Sequence, residues 1–304
     1  MSAGSEQRQR DAGANTRQAA ARDRGLYGPG SVTWRIMREP IMWVAGFRAL
    51  YLQALHPRVM RGTWQNTSFA RHGEAWGRFV RTTEFVAVRT YGSTAQVARA
   101  GRRVRKIHSS LSGTDPDGST FRLDEPELLL WVHCGEVSSY ADIARRSGVR
   151  VSARELDEFV HEQRRSAAVV GLDPDIVPGS VAELDAYYER MRHRVYACSE
   201  AKQALLRSYN PDVPLPLLGL KLVVPAINTL AFASLPRWAR RMYGAPGSPL
   251  TDAATTAALR LAHESSTRIP RRLLYLPAAR AAHRRQRQRE PTTVAAGGQP
   301  RTRP

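Results

Sequence analysis

The sequence predicts an all-α fold, a single helical bundle, on three observations. Apolar residues recur at helical spacing through most of residues 32–264. Serines and threonines precede these runs, and glycines or prolines follow them, as helix caps and stops require. Strand signals are sparse: only "TFRL" at 120–123 alternates over enough residues to form a short strand.

The elements follow in order. "GPGS" at 28–31 is a turn, and Ser31 is placed to cap a helix starting at Val32. An apolar helix runs over 41–61, with an end or kink at His56, because the residue before Pro57 is pushed out of the α region. A helix over 71–91 ends at Gly92, and the next, over 93–112, is capped by Ser93 or Thr94 and stopped by Gly113. The loop "GTDPDGSTFRLDEPE" carries two turn signals, Asp115-Pro116 and Asp117-Gly118. A helix over 125–147 contains the greasy run Leu128–Trp131. Ser152 with Glu155 forms a capping box, and Ser180 with Glu183 repeats the pattern. Residues 213–236 are strongly apolar but interrupted by prolines, Lys221 and Asn228, so they read as a buried broken helix or an interfacial hairpin rather than a membrane span. Short helices near 236–243 and over 250–264 complete the pattern. The chain thus divides into a flexible arm (1–25), one helical domain (26–276) and a basic, disordered tail (277–304).

The formal charge of +19 suggests nucleic acid at first sight, but its distribution argues otherwise. Residues 268–304 hold +9 and residues 1–24 hold +2, which leaves +8 for the 243 residues between. The tail has no aromatic residues interleaved with its arginines, so no platform for stacked bases, and no specific nucleic-acid role is expected. Attraction to an anionic lipid surface remains open, which makes peripheral membrane contact an expectation alongside a cytoplasmic location. The N-terminus lacks the apolar segment of a signal peptide, and the two cysteines, Cys134 and Cys198, form no CxxC motif. No GxGxxG, P-loop, HExxH or GxSxG is present.

The chemistry-bearing residues are few. Arg78 and Thr82 lie one turn apart on one helix face, with Phe85, Val86 and Arg89 near its edges. A guanidinium on a largely apolar helix must find an acceptor. His108 follows a collar of Arg102, Arg103, Arg105 and Lys106, and an imidazole near cations tends to stay neutral with a free lone pair. A neutral imidazole suits haem iron, and arginines such as Arg105 suit haem propionates. His56 and His133 are candidates by the same reasoning, His133 being the one set in the most apolar run. Cys134 reads as core. Glu74, Glu84 and Glu136 are acidic candidates for proton transfer, and spacing does not select among them.

Five segments occur in a recognisable order: "GPGSVTWRIMREP", "GFRALYLQALHPRVMRG", "RFVRTTEFVAVRTYG", "VRKIHSSLSG" and "DEPELLLWVHCGEVSSYADI". Over roughly residues 26–245 the chain resembles the MpaB-like and rubber-oxygenase catalytic domain family, which includes the latex clearing proteins. The resemblance implies a globin-like helical arrangement around haem b and the use of dioxygen on an isoprenoid or other lipid-like, apolar substrate. It implies His108 as the proximal iron ligand, and Arg78 and Thr82 in the distal pocket. His56 and His133 are then pocket residues that orient their neighbours. The electron donor is unknown. The alternative on the same scaffold is a haem or lipid carrier without turnover.

Overall fold

The computed structural model describes residues 23–67, 74–211, 219–268 and 280–281. The expectations for residues 1–22 and for the tail, apart from Arg280 and Ala281, therefore lie outside the described residues, as do residues 212–218 of the apolar stretch. Among the described residues there are twelve α-helices and one small hairpin. The helices are α1 (Val32–Met37), α2 (Met42–Gln53), α3 (Pro57–Gln65), α4 (Glu74–Tyr91) and α5 (Thr94–Ser110). They continue with α6 (Pro126–Ser147), α7 (Ala153–Val170), α8 (Val181–Met191) and α9 (Ser199–Ser208). The last three are α10 (Leu220–Ala233), α11 (Arg237–Met242) and α12 (Pro249–Thr267). Strands β1 (Ser112–Thr114) and β2 (Thr120–Arg122) pair antiparallel, with Gly113 opposite Phe121. The fold is all-α.

Helix α6 is the centre of the core. Its run of Trp131, Cys134, Val137, Ile143 and Ala144 is buried and packs on α2 through Val44, Ala45 and Leu52. Each fully buried large aliphatic side chain contributes about 2 kcal/mol. A buried cation fixes the α2–α6 pair: Arg48 lies 3.4 Å from Asp142, donates to Ser139 Oγ at 2.8 Å and reaches the Ser234 carbonyl at 3.3 Å. Helices α5 and α7 approach closely where α5 has no side chain. A Cβ on Gly101 would lie 2.8 Å from the Val169 carbonyl oxygen.

Helix ends follow the side chains that satisfy them. Ser31 accepts from Trp34 N–H, and Ser93 and Ser152 form full capping boxes with Gln96 and Glu155. Ser180 caps α8, but Glu183 takes the N–H of Gly179 rather than that of its own cap residue. The apolar stretch 41–61 is two helices, α2 and α3, because His56 is extended and Pro57 begins a new helix. Leu50 of α2 is 39% exposed, although the helix around it is strongly apolar. In 213–236 the described part is one helix, α10, with Pro225 inside it. Helix α9 and strand β1 are additions to the sequence-based pattern.

Candidate functional site

Helix α4 builds the site. Glu74, Arg78, Thr82, Phe85 and Arg89 recur at intervals of four, four, three and four, so all five share one face. Phe79 secures the helix to α2 by stacking on Phe47 at 5.1 Å and meeting Trp43 at 6.4 Å.

Arg78 is half-buried, and its partners are all neutral. Its Nη1 donates to the Thr67 hydroxyl and, at 3.5 Å, to the Thr63 carbonyl; Nη2 reaches Thr63 Oγ1 at 3.3 Å. No carboxylate pairs with it among the described residues. Burial, and then the Arg81 guanidinium, lower its pKa. A cation kept from water without a counter-charge is an anion-seeking group. Thr82 is exposed and donates to the Arg78 carbonyl at 3.0 Å. One turn before Arg78, Glu74 keeps a buried Oε2 with no partner among the described residues. Glu84 is exposed and Glu136 is ion-paired, so Glu74 is the acidic candidate left with an unsatisfied oxygen on the Arg78 face.

His108 comes to this neighbourhood from α5. It is half-buried, and its Nδ1 is buried without a partner among the described residues. Burial holds its pKa below the usual imidazole range, the nearby Arg78 charge adds to this, and Asp124 opposes it. The ring is therefore neutral near pH 7 and carries a lone pair. Arg105 points to a different partner. It is exposed and donates to the Val169 carbonyl at 2.7 Å, at the C-terminal end of α7 where a cation is favourable.

His133 lies further along the bundle, on α6. It is 5% exposed, and its Nε2 has no partner among the described residues. Burial pushes its pKa down to about 4, partly offset by Glu136. Glu136 accepts a two-pronged bond from buried Arg89, with Nη1 to Oε2 at 3.2 Å and Nη2 close to Oε1. The Arg89 guanidinium also sits 5.6 Å from the Phe85 ring. His56 occupies a different place. It precedes α3, is buried, and its Nε2 is 3.5 Å from Glu127 Oε1 in a cleft of about 510 Å³. Burial lowers its pKa, and Glu127 partly restores it.

Arg78 and His108 thus share one electrostatic neighbourhood, His133 joins Arg89 and Glu136, and His56 stands with Glu127. The Thr63/Thr67 cradle and the Arg89–Glu136 pair go beyond the sequence reading. Neither pairing is signalled by local spacing, since Arg89 and Glu136 lie 47 positions apart. No group of three or more His, Cys, Asp or Glu side chains suited to a metal ion occurs among the described residues. A porphyrin needs one axial side chain, so a lone imidazole is the relevant feature.

Residues 34–288 match the family described as ER-bound oxygenase mpaB/B'/Rubber oxygenase, catalytic domain. The chain belongs to this family. Its catalytic domain is that of an oxygenase, so the family supports an oxygenase role for the chain. Neither a curated protein nor a solved structure matches the chain. Among the described residues no helix is long and apolar enough to cross a membrane.

Proposed function

We propose that this oxygenase-family chain is a haem b-dependent enzyme using dioxygen on an apolar, isoprenoid or lipid-like substrate. The observation that carries the reading is the pairing of an unpartnered ring nitrogen with a cation whose hydrogen-bond partners are all neutral. The neutral His108 imidazole has a buried ring nitrogen without a partner, close to an Arg78 cation without a carboxylate, among the described residues. An iron ligand and a stabiliser of negative charge need these two properties.

His108 would hold the iron of a bound haem. When bound, that group supplies the dioxygen and one-electron chemistry that side chains lack. Arg78 offers a fixed positive charge to oxygen atoms as they become negative, and Thr63 and Thr67 hold its fork in place beforehand. Thr82 can turn its hydroxyl to a substrate oxygen or a water, since its present bond is to its own helix. The Glu74 Oε2, without a partner among the described residues, can accept a proton on the Arg78 face. His56 acts by holding Glu127, and Arg105 acts by holding α5 to α7, while His133 stays a neutral buried ring beside the Arg89–Glu136 pair.

The test is reconstitution of the full chain with haemin, followed by absorption spectroscopy and dioxygen uptake with isoprenoid substrates. The reading expects a Soret band and uptake that depends on substrate. A chain that takes up no haemin sinks it, and a haem-loaded chain that never consumes dioxygen leaves only the carrier.

A further inference from the structure

We infer that the outer face of α5 is a docking surface for an acidic electron-donor protein. The inference rests on the proposal that His108, on the same helix, holds the iron. Helix α5 contains no Asp or Glu. Arg99, Arg102, Arg103 and Lys106 are exposed and spaced i, i+3, i+4 and i+7, so they form a single cationic row. None of the four forms an ion pair among the described residues. Arg99 with Arg103, and Arg102 with Lys106, are like charges one turn apart, an arrangement that weakens a helix. Arg105, between them in sequence, is excluded from the row because it is occupied by Val169. The row is therefore a local excess of positive charge that the fold does not use.

Position makes the row relevant to the reaction. A helix with its side chains is about 10 Å across, so the cations stand about that far from the opposite face of α5, where His108 sits half-buried. A partner docked on the row is within a short electron-transfer distance of a group held by His108. With haem held by His108, the reduced partner would supply one electron to the ferric iron, with no bond formed or broken. Complementary charge brings such partners together quickly and with strong salt dependence. Two other anionic partners fit less well. A lipid surface calls for several apolar side chains to insert, and α5 exposes one large one, Ile107, at 44%. A nucleic acid calls for stacking groups, and residues 94–110 contain no aromatic residue.

The test uses the full chain and, as probe, an acidic plant-type [2Fe–2S] ferredoxin. The variants are R99E/R102E/R103E/K106E and the milder R99Q/R102Q/R103Q/K106Q. A control, R150E/R154E/R241E/R260E, makes the same charge change at exposed arginines on other elements. The expected result is ferredoxin affinity weakened at least tenfold by the α5 reversal, several-fold by the glutamine variant and less than threefold by the control. In haem-loaded protein, reduction by ferredoxin slows about tenfold while reduction by dithionite is unchanged. H108A should lose haem yet keep the ferredoxin affinity, so a failure of the haem reading leaves the docking result standing. Affinity within twofold of the parent in the reversal variant overturns the inference. So does a variant that keeps ferredoxin but loses co-sedimentation with phosphatidylcholine–phosphatidylglycerol vesicles.

Discussion

Two arginines on one face of α4 have opposite surroundings. Arg89, near the C-terminal end, is 5% exposed and locked to Glu136 by two N–H bonds. Arg78, eleven residues earlier, is held by threonine oxygens and a carbonyl, with no carboxylate among the described residues. The same side chain is thus tied to a carboxylate at one end of the helix and to neutral oxygens at the other. Removing one partner of a buried pair leaves the other charge uncompensated, whereas a cation held by neutral oxygens keeps its charge uncancelled and is a candidate for an anionic ligand.

Arg89→Ala should break the first half of that comparison most severely. It leaves the Glu136 carboxylate facing buried, unpaired surroundings, and a loss of about 3–5 kcal/mol in denaturant unfolding is expected. Arg78→Ala should do the reverse. Stability falls by only about 1–2 kcal/mol, because hydrogen bonds to Thr63 and Thr67 are lost but no ion pair is broken, while turnover of the haem-loaded enzyme falls about 10²–10³-fold. If Arg78→Ala unfolds the protein as Arg89→Ala does, the division of labour between the two is wrong.

The third prediction concerns pH. His133 is neutral in the fold, with its pKa near 4, against about 6.5 in an unfolded chain. The unfolded state therefore binds the proton first as pH falls. Stability is full above about pH 6.5 and declines by about 3 kcal/mol in total as pH approaches 4. His133→Gln should flatten that part of the stability–pH curve measured by thermal or urea unfolding. The smallest effect is expected at Ser93, whose side chain caps the N-terminus of α5, at the opposite end of the helix from His108. Ser93→Ala should cost about 1 kcal/mol and leave the chemistry intact.

Much of the fold was legible because local chemistry sets it. Ser31, Ser93 and Ser152 cap the helices their positions indicate, and Pro57 divides the long apolar stretch where its ring forbids a continuous helix. Helix α9 is not legible in the sequence because its mixed "SEAKQALLRS" lacks a strong apolar stripe and its N-cap residue, Cys198, makes no side-chain cap bond. Strand β1 is "SGT", three residues of low strand propensity, and exists because Phe121 needs a partner over Gly113. At the site, spacing placed Arg78 and Thr82 on one face, and the apolar run before His133 announced its burial. The meeting of α4 with α5 and α6 is long-range packing. It decides which arginine finds a carboxylate, and no local pattern encodes it.

The chemistry proposed for this chain turns on the His108 imidazole, whose buried Nδ1 has no partner among the described residues and whose pKa burial lowers. The most direct measurement is haemin titration of the parent chain and of His108→Ala, read from the Soret band and from bound iron. About one haem per parent chain is predicted, with a variant that binds little or none while keeping its helical circular dichroism. Full haem occupancy in the folded variant, with an unchanged spectrum, would contradict it.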